Sequence, residues 1–565
     1  MRKRNLQDGI SVHAISGTYV VLLGLNATED ARKRLLGFAI EREDHTEKER
    51  YWLKGFRTFE ETEPDPQPGS LHSTLEHPIQ SFLWGDYSAK PNHSYTYRIR
   101  PVLGKPKRLE YGTDVVVQIK TENVDMGEHA IFFNRGAIAS QAYARKFQNR
   151  APDSEDLTDK ATVWLSRGLM EGALEFISQA KSSRYSLRTA VYEFNFAPFL
   201  EAFKEADAAG ADVKIIYEAG SQKKEGKMIP TSTTTANNEA IKKAGIRKEL
   251  VIPRKKRKNI PHNKFIVLLE NKIPIEVWTG STNFTSSGFL GQSNVGHVVR
   301  NREVAKMYHD YWQQLAQDPD LATMRAWNDL NTPRPDVSIP RNSITPFFSP
   351  RFRSKMLDWY GDQMSDTDQT VMFTAAFGVN KKLAERFAED KDFLRFLITE
   401  KTLKGETAKL VKRDKDTIIA VGTTLGKDAR QRRIPGWELD KWYMEEKLYR
   451  RQGHVFYVHT KYMLLDALTK DPKIFTGSAN FSENSLLYND ENMLLIRGNT
   501  KVADVYLGEF LRLFNHFYSR KVAGRLAQTD SLDERRAVNL DPTTQWLKRH
   551  FAPGRYHCLR RELFK

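Results

Sequence analysis

Cysteine is almost missing from this chain of 565 residues, which contains only Cys558. A single thiol excludes an intramolecular disulfide framework and any cysteine-rich metal site. Long apolar runs are missing as well, since no stretch approaches the roughly 20 residues needed to span a bilayer. The basic amino-terminal cluster is not followed by an unbroken apolar segment, so no signal peptide is predicted. The expected location is the cytoplasm.

Acidic residues are outnumbered by basic ones. Lys and Arg total 88 and Asp and Glu total 71, so the formal net charge is +17. Such a protein is attracted to polyanions, and both nucleic acid and anionic lipid surfaces qualify as partners. The chain is long enough for several domains, each with its own core. Charge alone does not choose between the two kinds of partner.

The chain does contain a cluster of polar residues suited to binding phosphate. His459 and Lys461 lie on the same side of the chain if this segment is a β-strand, because strand side chains alternate. A second strand would bring the Gly477-Ser478 turn and Asn480 beside them. An imidazole, an ammonium group, a hydroxyl and an amide can therefore converge on one pocket.

The same cluster occurs earlier in the chain, as His262, Lys264, Ser281 and Asn283. Each member of the later copy stands 197 residues after its counterpart, as the difference 480 − 283 shows. Two copies in identical register indicate an internal duplication, which is a signal of the architecture itself.

The double pattern HxK, four residues, Asp and then GSxN resembles the phospholipase D superfamily, which also contains phosphodiesterase nucleases. The resemblance covers roughly residues 126 to 522 and implies a reaction in two displacements. One histidine attacks phosphorus to give a phosphohistidine. The other, as imidazolium, protonates the departing oxygen and then acts as base for water. It implies no metal and no cofactor, and a catalytic site complete within one chain.

The resemblance also assigns supporting roles. The groups expected to hold the non-bridging oxygens and stabilise their developing charge are Lys264, Lys461, Asn283 and Asn480. Ser281 and Ser478 would help to shape that site. The motif aspartate is Asp466 in the second copy, but Leu269 occupies its place in the first. That position supports the fold around the site in the family, and its loss leaves open an inert first half.

A second asymmetry concerns the acidic residue that follows the GSxN turn. Glu491 matches this family element, whereas Asn294 occupies the same register in the first half. A carboxylate fixes the tautomer of a histidine and stabilises its cation better than an amide does. By resemblance, the acidic residue of one half serves the histidine of the other. We therefore hypothesise that Glu491 supports His262 as the nucleophile and that His459 is the acid and base.

The predicted fold is α/β with an additional β-rich domain. Residues 1–125 read as short strands of a β-sandwich accessory domain, resembling a fibronectin type III or immunoglobulin-like domain, with Tyr95 as a tyrosine corner. It would dock a substrate or partner, or buttress the core. From residue 126 a β-α-β rhythm predicts sheets covered by helices on both faces. The resulting domains are two phospholipase D-like α/β/α units related by a pseudo-two-fold axis, 126–331 and 332–522, and a basic C-terminal extension, 523–565.

Basic segments precede both motifs. The residues predicted to form a basic rim at the cleft are Arg254, Lys255, Lys256, Arg257, Lys258, Arg450 and Arg451. Such a rim would track a polyanionic backbone, although a charge run is also typical of a solvated loop. The leading hypothesis is a nuclease on DNA or RNA. The alternatives are a phospholipase D on membrane phospholipids and a nucleic-acid-binding protein with a degenerate site; a regulatory protein partner is left open.

Overall fold

The computed structural model describes residues 1–66, 70–136, 141–148, 150–256, 259–332, 339–422, 458–526 and 539–565. Four residues of the predicted basic rim lie outside this part of the chain: Arg257, Lys258, Arg450 and Arg451.

The described residues of the N-terminal region form two larger antiparallel sheets, as the alternating apolar pattern predicts, and one two-stranded sheet that pairs Lys54–Gly55 with His72–Ser73. The strands β1 to β11 span Arg2–Gln7, Ile10–Ser16, Val21–Ala27, Leu35–Asp44, Glu49–Trp52, Lys54–Gly55, His72–Ser73, Leu83–Asp86, Ser94–Lys105, Arg108–Tyr111 and Val115–Lys120. One sheet has the order β1-β2-β3-β8; the other has the order β10-β9-β4-β5, with β11 also paired to β9. Side chains from both sheets share one core. The side chains of β1 are mostly exposed and polar, so apolar alternation does not indicate this strand.

Tyr95 is buried in this core, and its hydroxyl accepts a 2.9 Å hydrogen bond from the backbone N–H of Lys90. A hydroxyl bonded to backbone a few residues upstream is what a tyrosine corner requires. The β-rich character is therefore established, while the likeness to fibronectin type III or immunoglobulin domains stays a prediction.

The rest of the body is built on two seven-stranded sheets. The strands of the first, β12 to β14 and β17 to β20, are His129–Phe133, Tyr185–Val191, Asp212–Glu218, Val251–Arg254, Lys264–Glu270, Ile273–Gly280 and Val295–Val299. A separate ribbon, β15 and β16, pairs Ser221–Lys224 with Lys227–Pro230. The strands of the second sheet, β21 to β27, are Ser343–Ser349, Val371–Ala375, Arg395–Thr399, Thr417–Val421, Tyr462–Leu465, Lys473–Gly477 and Glu491–Arg497.

The two sheets have the same topology. Their orders are β12-β20-β19-β18-β13-β14-β17 and β21-β27-β26-β25-β22-β23-β24. In each sheet the strand after the HxK motif is antiparallel to both neighbours, and two further strands are added in parallel beyond. The tandem α/β arrangement predicted from the duplication is confirmed. The boundaries at residues 126, 332 and 523 stay predictions.

Helices flank both sheets. The helices α1 to α15 span Glu29–Arg32, Gln141–Phe147, Lys160–Ser166, Leu169–Ser178, Ala197–Ala208, Ser232–Ala244, Arg302–Ala316, Leu321–Asn331, Lys355–Ser365, Lys381–Phe387, Gly405–Val411, Glu483–Leu487, Thr500–Leu526, Lys548–Phe551 and Tyr556–Phe564. Short 3₁₀ turns cover Lys248–Leu250 and Gln545–Leu547, and a π turn covers Ser287–Gly291. The apolar stripe of α4 faces the core through Leu169, Ala173 and Phe176.

Helices α7 and α13 join the two halves. Tyr311 of α7 stacks on Phe348 of the second sheet, with ring centroids 4.1 Å apart. Tyr506 of α13 packs edge-on against Phe133 of the first sheet at 5.2 Å. Both helices therefore lie in cores to which both halves contribute. Because close-packed interiors deform little, this packing fixes the relative position of the two halves.

The C-terminal segment 539–565 packs on the N-terminal β region. Trp546 is buried in the β core, and its indole N–H donates to the carbonyl of Leu35 at 3.0 Å. A Cβ on Gly24 would stand 2.0 Å from the carbonyl oxygen of Phe564, so only glycine permits this approach. Among the residues that the structure describes, no helix combines the length and apolarity needed to cross a membrane.

Candidate active site

The two HxK motifs have the same local geometry. Lys264 is the first residue of β18, and Lys461 directly precedes β25. The Nζ atom of each lysine donates to the backbone carbonyl of its own histidine, His262 or His459, at 2.7 Å. All four side chains are at least 95% buried. The lysines are therefore held beside the imidazoles at the ends of equivalent strands.

Each motif is tied to the opposite half of the molecule. The backbone N–H of Asp490 donates to the carbonyl of Ile260 at 3.1 Å. The backbone N–H of His459 donates to the carbonyl of Ser293 at 3.2 Å. These bonds belong to two bridges, Pro261 with Asp490 and Val458 with Ser293, whose members are related by the same offset of 197 (458 − 261 and 490 − 293). This pseudo-two-fold pairing brings the two motifs so close that the lysine of each half acts on the histidine of the other.

Glu491 hydrogen-bonds His262 across this interface. Its two carboxylate oxygens lie 2.9 and 3.1 Å from Nδ1 of the imidazole. The carboxylate is held in place by Ser478 Oγ, which donates at 2.6 Å, and by the Asn489 amide, which donates at 2.9 Å. The contact is the one hypothesised from the sequence. It leaves Nε2 of His262 as the nitrogen available for chemistry.

Asn294 occupies the equivalent position behind His459. Its Oδ1 atom lies 2.9 Å from Nδ1 of the imidazole and accepts from Ser281 Oγ at 2.8 Å. Its Nδ2 donates to the carbonyl of Gly288, which assigns the orientation of the amide. An amide oxygen only accepts, so Nδ1 of His459 carries the hydrogen in this contact. The two serines thus position the residues behind the histidines.

Burial controls the protonation of both imidazoles. It lowers the pKa of His262 to about 4, although the carboxylate of Glu491 opposes this effect. Burial, together with the charges of Lys461 and Lys264, lowers the pKa of His459 well below its ordinary value. Both shifts favour the neutral form of the ring. A bound phosphate anion would favour the protonated form of His459, because an adjacent opposite charge raises the pKa of a base.

The glycine of each GSxN turn permits a close approach between strands. A Cβ on Gly280 would stand 2.1 Å from the carbonyl oxygen of Val295, and one on Gly477 would stand 2.3 Å from that of Asn492. These contacts place the turn directly against the strand start that carries Asn294 or Glu491. A larger residue at either glycine would push the serine and asparagine out of the site.

The two turn asparagines are placed at the site but differ in their contacts. Asn283 is buried, and its side-chain N–H donates to Glu193. Asn480 is half-buried, and its backbone N–H donates to Ser485 Oγ at 3.2 Å. In both residues Oδ1 is buried and makes no hydrogen bond within the described residues.

Asp466 and Leu269 lie away from the phosphate site. Asp466 accepts the backbone N–H groups of Gln369 and Thr370 at 2.8 and 3.3 Å, which ties the segment before β22 to the far end of β25. Leu269 is buried in the core under α7, five residues along β18 from Lys264, which corresponds to about 17 Å. The missing aspartate therefore concerns the fold of the first half, whose site residues are all in place.

Arg254 was wrongly predicted as part of the basic rim. Its side chain is 99% buried and pairs with Asp490 and Asp318, each at 2.9 Å. It anchors the segment before the first motif to the strand that carries Glu491, since a buried charge requires partners. Lys255 and Lys256 are exposed, as expected of a rim.

Two site residues were missed from the sequence. Tyr192 packs against the His262 ring, with centroids 5.5 Å apart. Glu193 lies next to it and contacts Asn283, one of the predicted phosphate ligands. Burial raises the pKa of Glu193, while Lys264 opposes that shift. The available signal was a carboxylate at the end of the buried strand β13, in a segment that otherwise reads as apolar.

Within the described part of the chain, no group of three or more His, Cys, Asp or Glu residues is arranged to hold a metal ion. Metal independence stays a prediction.

The fold and the site define a duplicated α/β protein with one composite histidine-lysine site. The family described as cardiolipin synthase, PLD-like domain matches residues 174–316 and 384–514, one range in each half. This chain belongs to the phospholipase D superfamily. None of the curated proteins matches it in sequence.

Several solved structures share parts of this fold. Polyphosphate kinase from Porphyromonas gingivalis is 10% identical, with a TM-score of 0.36; the match covers 57% of this chain and 42% of the kinase. Phosphatidylserine synthase from Haemophilus influenzae Rd KW20 is 13% identical, with a TM-score of 0.39 and coverage of 70% and 94%. Yeast tyrosyl-DNA phosphodiesterase is 12% identical, with a TM-score of 0.29 and coverage of 58% and 87%. This chain thus spans less than half of the kinase, and none of these likenesses decides its substrate.

Proposed function

We propose that this protein is a metal-independent phosphodiester hydrolase that acts through a covalent phosphohistidine on His262. The observation that carries the proposal is the crossed pairing of the two imidazoles. Glu491 holds Nδ1 of His262, and Asn294 holds Nδ1 of His459, each from the opposite half. Both Nε2 atoms are thereby left for substrate in one cleft.

In the first step, Nε2 of His262 attacks phosphorus, and the bond from phosphorus to the leaving oxygen breaks. Protonated His459 donates its Nε2 proton to that oxygen. Glu491 stabilises the positive charge that develops on the His262 ring. In the second step, neutral His459 takes a proton from water, whose oxygen displaces His262 from phosphorus. Lys264 and Lys461 stabilise the charge on the non-bridging oxygens.

The proposed substrate is a nucleic acid. Support comes from the net charge of +17 and from exposed Lys255 and Lys256, seven and six residues before His262. Exposed aromatic rings flank a cation nearby in the fold: the Arg325 guanidinium lies 5.3 Å from the Tyr488 ring and 5.9 Å from the Phe352 ring. Aromatic rings beside cations favour binding of unpaired bases and phosphates.

A phospholipid is the second candidate substrate, because the matching family is described by the name of a lipid enzyme, cardiolipin synthase. The same basic surface would then bind an anionic membrane. In either case we propose that the N-terminal β region is a fibronectin type III- or immunoglobulin-like accessory domain. It would dock the substrate or a partner.

A substrate panel tests this proposal. The full chain is incubated in EDTA with single-stranded DNA, duplex DNA, RNA, and vesicles of phosphatidylcholine or of phosphatidylglycerol. We expect cleavage of nucleic acid that survives EDTA and disappears in His262→Ala and His459→Ala. Lys409→Ala, a change at a distant helix of the second half, is the control for preparation. Cleavage of lipid alone would favour the second candidate, and inactivity on every substrate would favour a degenerate binding protein.

A further inference from the structure

Glu193 stands at a position where the two halves differ. Val191 of β13 pairs with Lys264, so Glu193, two residues further, is level with His262. In the second half β22 ends at Ala375, and the ring of Phe377 beyond it lies 6.0 Å from the His459 ring and 5.7 Å from Lys461 Nζ. Tyr192 makes the same contacts in the first half, 5.5 Å from the His262 ring and 5.8 Å from Lys264 Nζ. Phe377 therefore corresponds to Tyr192, and the residue after this ring is Gly378 in the second half and the carboxylate Glu193 in the first.

The residue that hydrogen-bonds Nδ1 of each histidine also differs between the halves, but here the carboxylate comes from the second half. Asn294 belongs to the half that carries Glu193, whereas Glu491 belongs to the half that carries Phe377. Each half thus contributes one carboxylate to the cleft, from a different place in the repeat. Together they face the ammonium groups of Lys264 and Lys461, and both carboxylates act on both lysines.

The sum of the charges in the site shows what the second carboxylate contributes. Burial lowers the pKa of both lysines, and the two carboxylates oppose this shift. With both histidines neutral and these four groups ionised, the two lysines and the two carboxylates sum to zero. Binding of a phosphodiester monoanion then leaves one negative charge in excess, which one proton on His459 removes. Uncompensated charge is costly in a buried site. Without Glu193, the same proton would leave a net positive charge, and both His459 and the lysines would lose protons more readily.

We propose that Glu193 is a positioning residue of the phosphate site that supplies the negative charge missing at Asn294, and so allows His459 to hold a proton when a phosphodiester binds. The inference deepens the proposed function and rests on it for the role of His459. Glu193 also restrains Asn283 through the hydrogen bond from its amide. The ionisable groups that act on Glu193 or on its two lysine neighbours are Lys264, Lys461, His262, His459 and Glu491.

The test measures anion binding, so it does not depend on turnover. Dimethyl phosphate, a monoanionic phosphodiester at neutral pH, is titrated calorimetrically into the full chain from pH 6 to pH 9. The variant Glu193→Gln keeps the size of the side chain and removes its charge. The midpoint is the pH at which the association constant has fallen to half of its value at pH 6. We expect this midpoint to be about one pH unit lower in the variant than in the wild type. Glu201→Gln, an exposed change on α5, should leave that pH unchanged.

Relocating the charge separates its electrostatic effect from a structural one. In Glu193→Gln/Phe377→Glu a carboxylate is placed instead in the other half, at a position where the Phe377 ring lies 5.7 Å from Lys461 Nζ. We expect the double variant to recover at least half of the shift. An unchanged midpoint in the folded single variant, or a full shift that persists in the double variant, would overturn the proposal. A protein that binds dimethyl phosphate as expected yet cleaves nothing would refute the proposed hydrolase and leave the binding role of Glu193 intact.

Discussion

The two halves of this protein share a topology, but their histidines have different partners. His262 faces a carboxylate, which can stabilise a cation on its ring, and His459 faces an amide, which cannot do so with charge. A duplicated scaffold has thus acquired two unlike chemical positions. Two histidines in a symmetric site can therefore take different chemical roles when only the residue that hydrogen-bonds each ring differs. The placement of the histidines themselves can stay the same.

The strongest test of this comparison is removal of each histidine. His262→Ala and His459→Ala should each lower kcat by about 10⁴-fold or more, because a nucleophile and its acid act as a unit. Only His459→Ala should accumulate phosphate on the enzyme, bound to His262, when given a substrate with a good leaving group. Rapid quenching followed by mass spectrometry of peptides measures this. Phosphate found on His459 in His262→Ala would reverse the assigned order.

Exchanging the residues behind the histidines tests the cause of the asymmetry. Glu491→Gln should lower kcat by roughly 10²- to 10⁴-fold with little change in KM, because the supporting charge is lost while the hydrogen bond remains. Asn294→Asp should raise the pKa of His459 and move the alkaline limb of the kcat/KM profile to higher pH.

The pH profiles of both variants are measured beside the wild type. An unaltered alkaline limb in folded Asn294→Asp would contradict the role assigned to His459. Equal losses of activity in Glu491→Gln and Asn294→Asp would remove the distinction between the two halves.

The buried ion pair between the halves should affect stability more than charge on the surface. Arg254→Met leaves Asp490 buried beside one fewer cation and should lower the free energy of unfolding by about 3–5 kcal/mol. Lys255→Met, the exposed neighbour, should change it by less than about 0.5 kcal/mol. Urea unfolding followed by tryptophan fluorescence measures both. Similar values for the two variants would show that the Arg254 pair does not hold the halves together.

The smallest effect is expected from the exposed lysines before the first motif. Lys255→Gln and Lys256→Gln should each weaken binding of nucleic acid and reduce the slope of log K against log salt by about 1 or less. Fluorescence anisotropy with single-stranded DNA at several salt concentrations gives the slope. Lys404→Gln in the second half serves as the matched exposed control. Slopes that do not differ from this control would assign Lys255 and Lys256 to a solvated loop.

The local pattern of apolar residues was sufficient to predict much of the fold. The β-rich beginning, the helix α4 and the alternation of strands and helices follow from apolar periodicity, which burial enforces residue by residue. Arg254 shows where that reasoning stops. It sits in a run of five basic residues, and nothing local distinguishes it from Lys255, which is exposed. Its ion-pair partners, the carboxylates of Asp318 and Asp490, are distant in sequence.

Glu193 shows the same limit at the active site. Its position at the end of a strand is readable from sequence, but its hydrogen bond to Asn283 depends on the approach of two segments 90 residues apart. Asp466 and Leu269 are the converse case. Their difference is visible in the motif, yet only the fold shows that this position lies about 17 Å from the lysine of the site.

The sequence alone determined the duplication and the kinds of group that each half offers to a phosphate, because register and residue type are properties of the chain. The tertiary structure decided which half serves which histidine, which arginine is buried, and that a second carboxylate enters the cleft. These depend on packing α7 and α13 between the sheets, since that packing sets the distances across which charges and hydrogen bonds act.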